Sequence, residues 1–125
     1  MTTDGRSASH TSSALVSGTL LVNLLGVPER DEWDDLRAEI LSAVESAAPN
    51  GVVLNLDQAS VLDALDVAEL ERTGKVVQLM GRPMVLCGLR PEVLRGVVAA
   101  GVSLPRLRGF AAVQDALDAF REGSR

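Results

Sequence analysis

After a Ser/Thr-rich opening, the chain alternates short apolar runs with longer amphipathic stretches. Ala14-Leu-Val and Thr19-Leu-Leu-Val-Asn-Leu-Leu are β-leaning runs joined by Ser17-Gly18, a dipeptide suited to a tight hairpin. Gly26 and Pro28 end the second run. Glu29, Asp31 and Glu32 then precede a stretch in which Trp33, Leu36, Ile40 and Val44 recur at helical spacing. Carboxylates there suit the positive end of a helix, and Pro49-Asn50-Gly51 is a stop signal. Val52-Val-Leu-Asn-Leu56 is short and mostly apolar, as expected of a central strand covered on both faces. A second helix is predicted from about Ala64 to Met80, with Val67, Leu70, Gly74 and Val77 on one face and Gly81-Arg-Pro83 as its breaker. Met84-Val-Leu-Cys-Gly88 reads as another buried strand. Pro91 opens a third helix, lined by Val93, Leu94, Val97 and Val98 and stopped by Gly101. Leu104 to Leu107 is expected to form a short edge strand, because Pro105 cannot donate a ladder bond. Val113, Leu117 and Phe120 line a last helix.

The predicted order is β-β-α-β-α-β-α-β-α, an α/β domain with a mixed, mostly parallel sheet packed with helices. Residues 1–13 hold little that could enter a core and are expected to be a disordered tail, leaving 14–122 as a single domain.

Composition narrows the functions open to such a domain. A chain of 125 residues can bury a real core. No run of about 18 apolar residues is available to span a membrane, and the start lacks a secretory pattern, so the expected compartment is the cytoplasm. The net charge of −5 argues against general nucleic-acid binding, which relies on neutralising phosphates. Trp33, Phe110 and Phe120 are the only aromatics, too few for a base-stacking platform. The single histidine, His10, gives no material for a histidine metal site or a Ser-His-Asp triad. Cys87 lies within an apolar run and reads as a buried thiol, with no second cysteine to pair with.

No Gly-x-Gly-x-x-Gly follows a strand and no Walker-type Gly-Lys-Ser/Thr occurs. Asp57, Asp63 and Asp66 cluster after the third strand and could in principle do acid/base work or hold Mg²⁺. A structural role is the better reading: Asp63 caps the second helix and Asp66 sits in its first turn. A response-regulator phosphoacceptor would want further acids at the end of the first strand and a nearby Lys. That strand ends in Ser17-Gly18, and Lys75 sits in mid-helix.

The element order, together with Asn50-Gly-Val-Val-Leu-Asn-Leu, Val61-Leu-Asp63 and Leu79-Met-Gly-Arg-Pro-Met-Val-Leu-Cys-Gly-Leu-Arg-Pro-Glu-Val93, resembles the STAS-domain family over about residues 14–122. The Gly88-Leu-Arg-Pro-Glu-Val step is similar to its anti-sigma factor antagonist and stressosome scaffold branch. The resemblance implies a non-enzymatic regulator without a cofactor. Its implied partners are a GHKL-type serine/threonine kinase or anti-sigma factor, and other STAS scaffold proteins, with homo-oligomers left open. In the family, a Ser or Thr at the start of the second helix is phosphorylated, which switches partners. Here Ala64 stands at that position, and Gly96 stands where some scaffold members carry a second acceptor Thr. Neither has an oxygen to phosphorylate. Ser60 is the nearest hydroxyl and an alternative acceptor, although a turn role suits it better. Thr73, inside the helix, is a poorer one. The expected contact surface comprises Asp57, Ser60, Asp63, Ala64, Leu65 and Asp66, with Arg90 and Glu92 on the adjacent turn. Arg90 is weighed there between pairing with a partner carboxylate and standing solvated. Two further readings stay open: a cytoplasmic STAS subunit of a lipid-transporting ABC system, and a nucleotide-binding STAS domain.

Overall fold

The structure, a computed structural model, describes residues 11–103 and 105–123. His10 and most of the expected tail lie outside the described residues. The elements run β1 (Thr11–Val16), β2 (Thr19–Leu24), α1 (Arg30–Ala47), β3 (Val52–Asn55), α2 (Ala64–Leu79), β4 (Met84–Cys87), α3 (Pro91–Ala99), β5 (Gly109–Phe110) and α4 (Val113–Gly123). This is the predicted order. The strands form one sheet in the order β1-β2-β3-β4-β5. β1 is antiparallel to β2 and every other pairing is parallel.

The β1–β2 hairpin turns on Ser17 and Gly18, both at positive φ (52° and 82°). Two successive residues of that hand match the right-handed twist of the strands they join. The two central strands are buried: β3 and β4 are covered at every position. Alternation divides their side chains between two faces. On one face Leu20, Val22, Val52, Leu54, Met84 and Leu86 pack against α1, α2 and α3 through Trp33, Ile40, Leu70, Val77 and Val97. On the other, Val53, Val85 and Cys87 meet α4 through Ala116, Leu117 and Phe120. Gly51 is required at the foot of β3, because a Cβ there would lie 2.4 Å from the Phe120 ring.

Two expectations are corrected. β1 starts at Thr11, inside the stretch assigned to the tail, with Thr11, Ser12 and Ser13 paired to Leu24, Asn23 and Val22. An outer strand that faces water needs β-tolerant residues rather than apolar ones, so hydrophobicity marked its start too late. The last strand is Gly109–Phe110, beside Leu86 and Cys87, and not Leu104–Leu107; Leu104 itself is outside the described residues. The segment before it is held elsewhere. The Arg106 N–H donates to Glu71 Oε2 at 2.8 Å, and Leu107 packs so closely on α2 that a Cβ on Gly74 would lie 2.6 Å from Leu107 Cδ2. Pairing resumes only where Leu86 N–H reaches the Arg108 carbonyl at 2.9 Å.

Candidate functional site

All four parallel strands end at the same edge of the domain, where the β3–α2 loop lies beside the β4–α3 turn. Leu56, Ala59 and Leu62 point into the core. Their spacing of three leaves Asp57, Gln58, Ser60, Val61 and Asp63 facing outward. Backbone bonds fix this path: Leu56 N–H donates to the Cys87 carbonyl at 2.8 Å, and Ala59 N–H to the Leu56 carbonyl at 3.0 Å. The amide of Asp57 donates to Asn55 Oδ1 at 3.2 Å.

The start of α2 is held from both directions. Asp63 is the N-cap, and its Oδ1 accepts from the Asp66 N–H at 2.8 Å. Asp66 Oδ2 in turn accepts from the Asp63 N–H at 3.0 Å, so a capping box closes with aspartate in the position more often held by Glu or Gln. Trp33 Nε1 of α1 donates to the other Asp66 oxygen at 3.3 Å. One turn further, Arg37 joins the same two helices. Its buried guanidinium pairs with Glu69 at 2.5 Å and with Asp34, and reaches Thr73 Oγ1 at 3.4 Å. These contacts set α2 against α1.

The bonds at the helix start move the two carboxyl groups in opposite directions. The Asp66 N–H, donating to Asp63, holds the Asp63 carboxyl below its ordinary value. Burial raises that of Asp66, and the hydrogen bond it accepts from the Asp63 N–H offsets only part of the rise. The stabilisation from Asp63 is full above the unfolded carboxylate value, about 3.9, and is lost as pH falls through its lower folded value. The contribution of Asp66 is present below the unfolded value and lost as pH rises through its raised folded value. Asp63→Ala is therefore expected to lower the thermal midpoint at pH 7. The deficit relative to wild type should shrink on acidification below about pH 4. Thermal unfolding followed from neutral to acid pH reads this directly, and a constant deficit would show that the charge of Asp63 plays no part.

The β4–α3 turn is tied to the same loop. Arg90 Nη2 donates to the Ala59 carbonyl at 3.2 Å, and Nη1 lies 3.8 Å from Glu92. Arg90 is thus neither free in solvent nor wholly available to a partner: it clamps the loop. Gly88 makes the close approach feasible. Its φ is +79°, and a Cβ there would lie 2.5 Å from Asn55 Oδ1.

The structure brings Asp57, Ser60, Asp63, Ala64, Leu65, Arg90 and Glu92 to one end of the domain, all at least partly exposed. Asp66 belongs to the same helix turn but faces inward. Gly96 lies on the exposed side of α3, and Thr73 is fully buried. Sequence reasoning missed Val61, 70% exposed and near Leu65 at 40%, and also Leu25 at 47%, which follows β2 at the same sheet end. The signal was available: Leu56, Ala59 and Leu62 at a spacing of three turn Val61 outward.

Among the described residues no group of three His, Cys, Asp or Glu side chains converges to hold a metal ion. Cys87 is buried, and its thiol is pushed up to about 11 by burial and, secondarily, by the charge of Asp57. It stays protonated at neutral pH and is a poor nucleophile. Among the described residues no helix is long and apolar enough to cross a membrane.

The STAS domain family model matches residues 32–116. Among solved structures the fold is similar to an RsbS variant of Moorella thermoacetica, with a TM-score of 0.74 and 21% identity over 92% of this chain and 97% of that one. It is also similar to a chain of the stressosome, described as a signal integration and transduction hub (TM-score 0.71, 20% identity, 91% of this chain and 99% of that one). A third similar structure is the anti-sigma factor antagonist SpoIIAA in its unphosphorylated form (TM-score 0.63, 19% identity, 89% of this chain and 97% of that one). No curated protein sequence matches this chain. At such identities the structural likeness is one of fold, but the family match covers more than half of the sequence; the chain belongs to the STAS-domain family.

Proposed function

We propose that this chain is a non-enzymatic interaction module of the anti-sigma factor antagonist or stressosome-scaffold kind, acting in the cytoplasm on a GHKL-type kinase or anti-sigma factor. The observation that supports this reading is the exposed end of the sheet. There a braced helix start, with Ala64 as its first residue, is flanked by the exposed side chains of Val61 and Leu65. Apolar side chains standing clear of a rigid rim are what a protein partner can bury. Asp57, Asp63 and Glu92 around them suit a partner with a basic rim.

Ala64 removes the hydroxyl from the position the family phosphorylates. The helix start offers free N–H groups that favour an anion, yet no oxygen to carry one. Binding at this surface is then constitutive, and control lies with the partner or with Ser60, which is exposed in the loop.

Titration with kinase-like proteins encoded near this gene tests the reading. Wild type is expected to bind, and Val61→Asp with Leu65→Asp to lose at least about tenfold in affinity, because each buries a charge. Unchanged binding by that double variant would move the docking surface elsewhere. Intact mass after incubation with the same kinase and ATP is expected to show no added phosphate. A phosphate mapped to Ser60 would replace constitutive binding by a relocated switch.

A further inference from the structure

We propose that the outer edge of β1 pairs with the same edge of a second copy, antiparallel about a two-fold axis through Ser13, to join two five-stranded sheets into one. β1 is the end strand of the sheet, and among the described residues only β2 pairs with it. Its alternation settles which groups face outward. Val16 and Thr19 flank a two-residue turn, so they form a hydrogen-bonded pair, and every second residue repeats that pattern. Val16, Ala14 and Ser12 therefore direct their backbone groups to β2. Thr11, Ser13 and Leu15 direct theirs away from the sheet.

These outward groups are complementary to themselves. With Ser13 opposite Ser13 and Thr11 opposite Leu15 of the second copy, each N–H meets a carbonyl. Directly opposed residues share a sheet face, as the pleat demands. Within the strand, the devices that normally protect an edge are missing: Thr-Ser-Ser-Ala-Leu-Val has no charge, no Pro and no bulge. Ser12, Ser13, Ala14 and Leu15 are all exposed, Leu15 to 51%.

Charge does not oppose this register, although each copy carries −5. Among the described residues, the carboxylate bonded to the strand is that of Glu39, which accepts from Thr11 Oγ1 at 3.1 Å. Thr11 of one copy and Thr11 of the other are offset by four residues, so the two Thr11–Glu39 pairs stand about 14 Å apart along the strands at ~3.4 Å per residue. That is beyond the screening length of about 10 Å at 0.1 M salt. The outer edge of β1 is two strands from β3 and the Asp57–Leu65 surface, so this pairing does not need the docking proposed above.

The test is the mass in solution of Ser13→Lys, Ser13→Glu and their mixture, by sedimentation at concentrations where the wild type is dimeric. Position 13 is exposed, and its outward amide takes no part in the hairpin, so both variants keep the fold. Each alone places like charges face to face at the axis and is expected to be monomeric. Mixed, they are expected to recover the dimer. A wild type that stays monomeric up to millimolar concentration overturns the proposal, as does a Ser13→Lys that remains dimeric. Amide exchange in the wild type is an independent reading: the Ser13 and Leu15 amides are expected to gain protection as concentration rises, and exchange that ignores concentration rejects the paired edge.

Discussion

Trp33→Ala is expected to cost about 3–5 kcal/mol of folding stability, the range for emptying a buried aromatic site. Trp33 is 1% exposed and sits among Leu36, Ile40 and the sheet residues of the larger core. A domain of this size has only about 5–15 kcal/mol in total, so this one change removes a large share. The loss has two parts. One is the cavity; the other is the donor to Asp66 Oδ1 at 3.3 Å. Trp33→Phe separates them, because it keeps most of the volume and removes the N–H. It is expected to cost about 1–3 kcal/mol, the range for leaving a buried acceptor short of its partner. Urea unfolding followed by circular dichroism gives both values; fluorescence does not serve, since Trp33 is the only tryptophan. Equal losses for the two variants would mean that the hydrogen bond outweighs the packing, the reverse of the expected division.

The second large effect is expected at Gly88. Its φ of +79° alone costs a side-chain-bearing residue about 1–3 kcal/mol. Gly101 has a similar φ of +76°, but a Cβ added there would meet nothing within 4 Å, so Gly101→Ala reports the backbone cost by itself. At Gly88 the same methyl group would meet Asn55 Oδ1 at 2.5 Å and the Asp57 backbone nitrogen at 3.0 Å. Asn55 cannot step aside cheaply. It is buried, its Nδ2 donates to Asn23 Oδ1 at 2.8 Å, and its Oδ1 accepts from the Asp57 N–H. Gly88→Ala is therefore expected to destabilise clearly more than Gly101→Ala. It should also speed amide exchange at Asp57, because the β3–α2 loop loses its anchor. Matching melting curves for the two variants would show that the close approach carries no energy.

Most of the fold was legible because its parallel part is buried on both faces. Val52–Leu56 and Met84–Gly88 could be recognised as continuous apolar runs, and Trp33, Leu36, Ile40 and Val44 marked one face of α1 at its own period. The errors fall where burial is weak. Thr11–Ser13 lies on an exposed edge, where hydrophobicity says nothing about pairing. The stretch around Pro105 was assigned a strand on local pattern, whereas the Arg106 amide and the Leu107 side chain are committed to α2.

The candidate site was partly legible for the same reason. Asp63 as the cap of α2 follows from residue type and position, and the structure adds the return bond from Asp66. Nothing local indicated that Asp66 would be buried under Trp33, thirty-three positions earlier in the chain. Nor did any local signal pair Arg37 with Glu69, or place Arg90 against the Ala59 carbonyl.

By itself, then, the sequence determined the element order, the parallel core and the absence of a hydroxyl at Ala64, because periodicity and residue chemistry are properties of the chain. The tertiary structure alone decided which acids face water, which arginines are occupied and which apolar side chains stand exposed at the end of the sheet. Those depend on contacts between residues about thirty apart, and such contacts exist only once the helices have packed on the sheet.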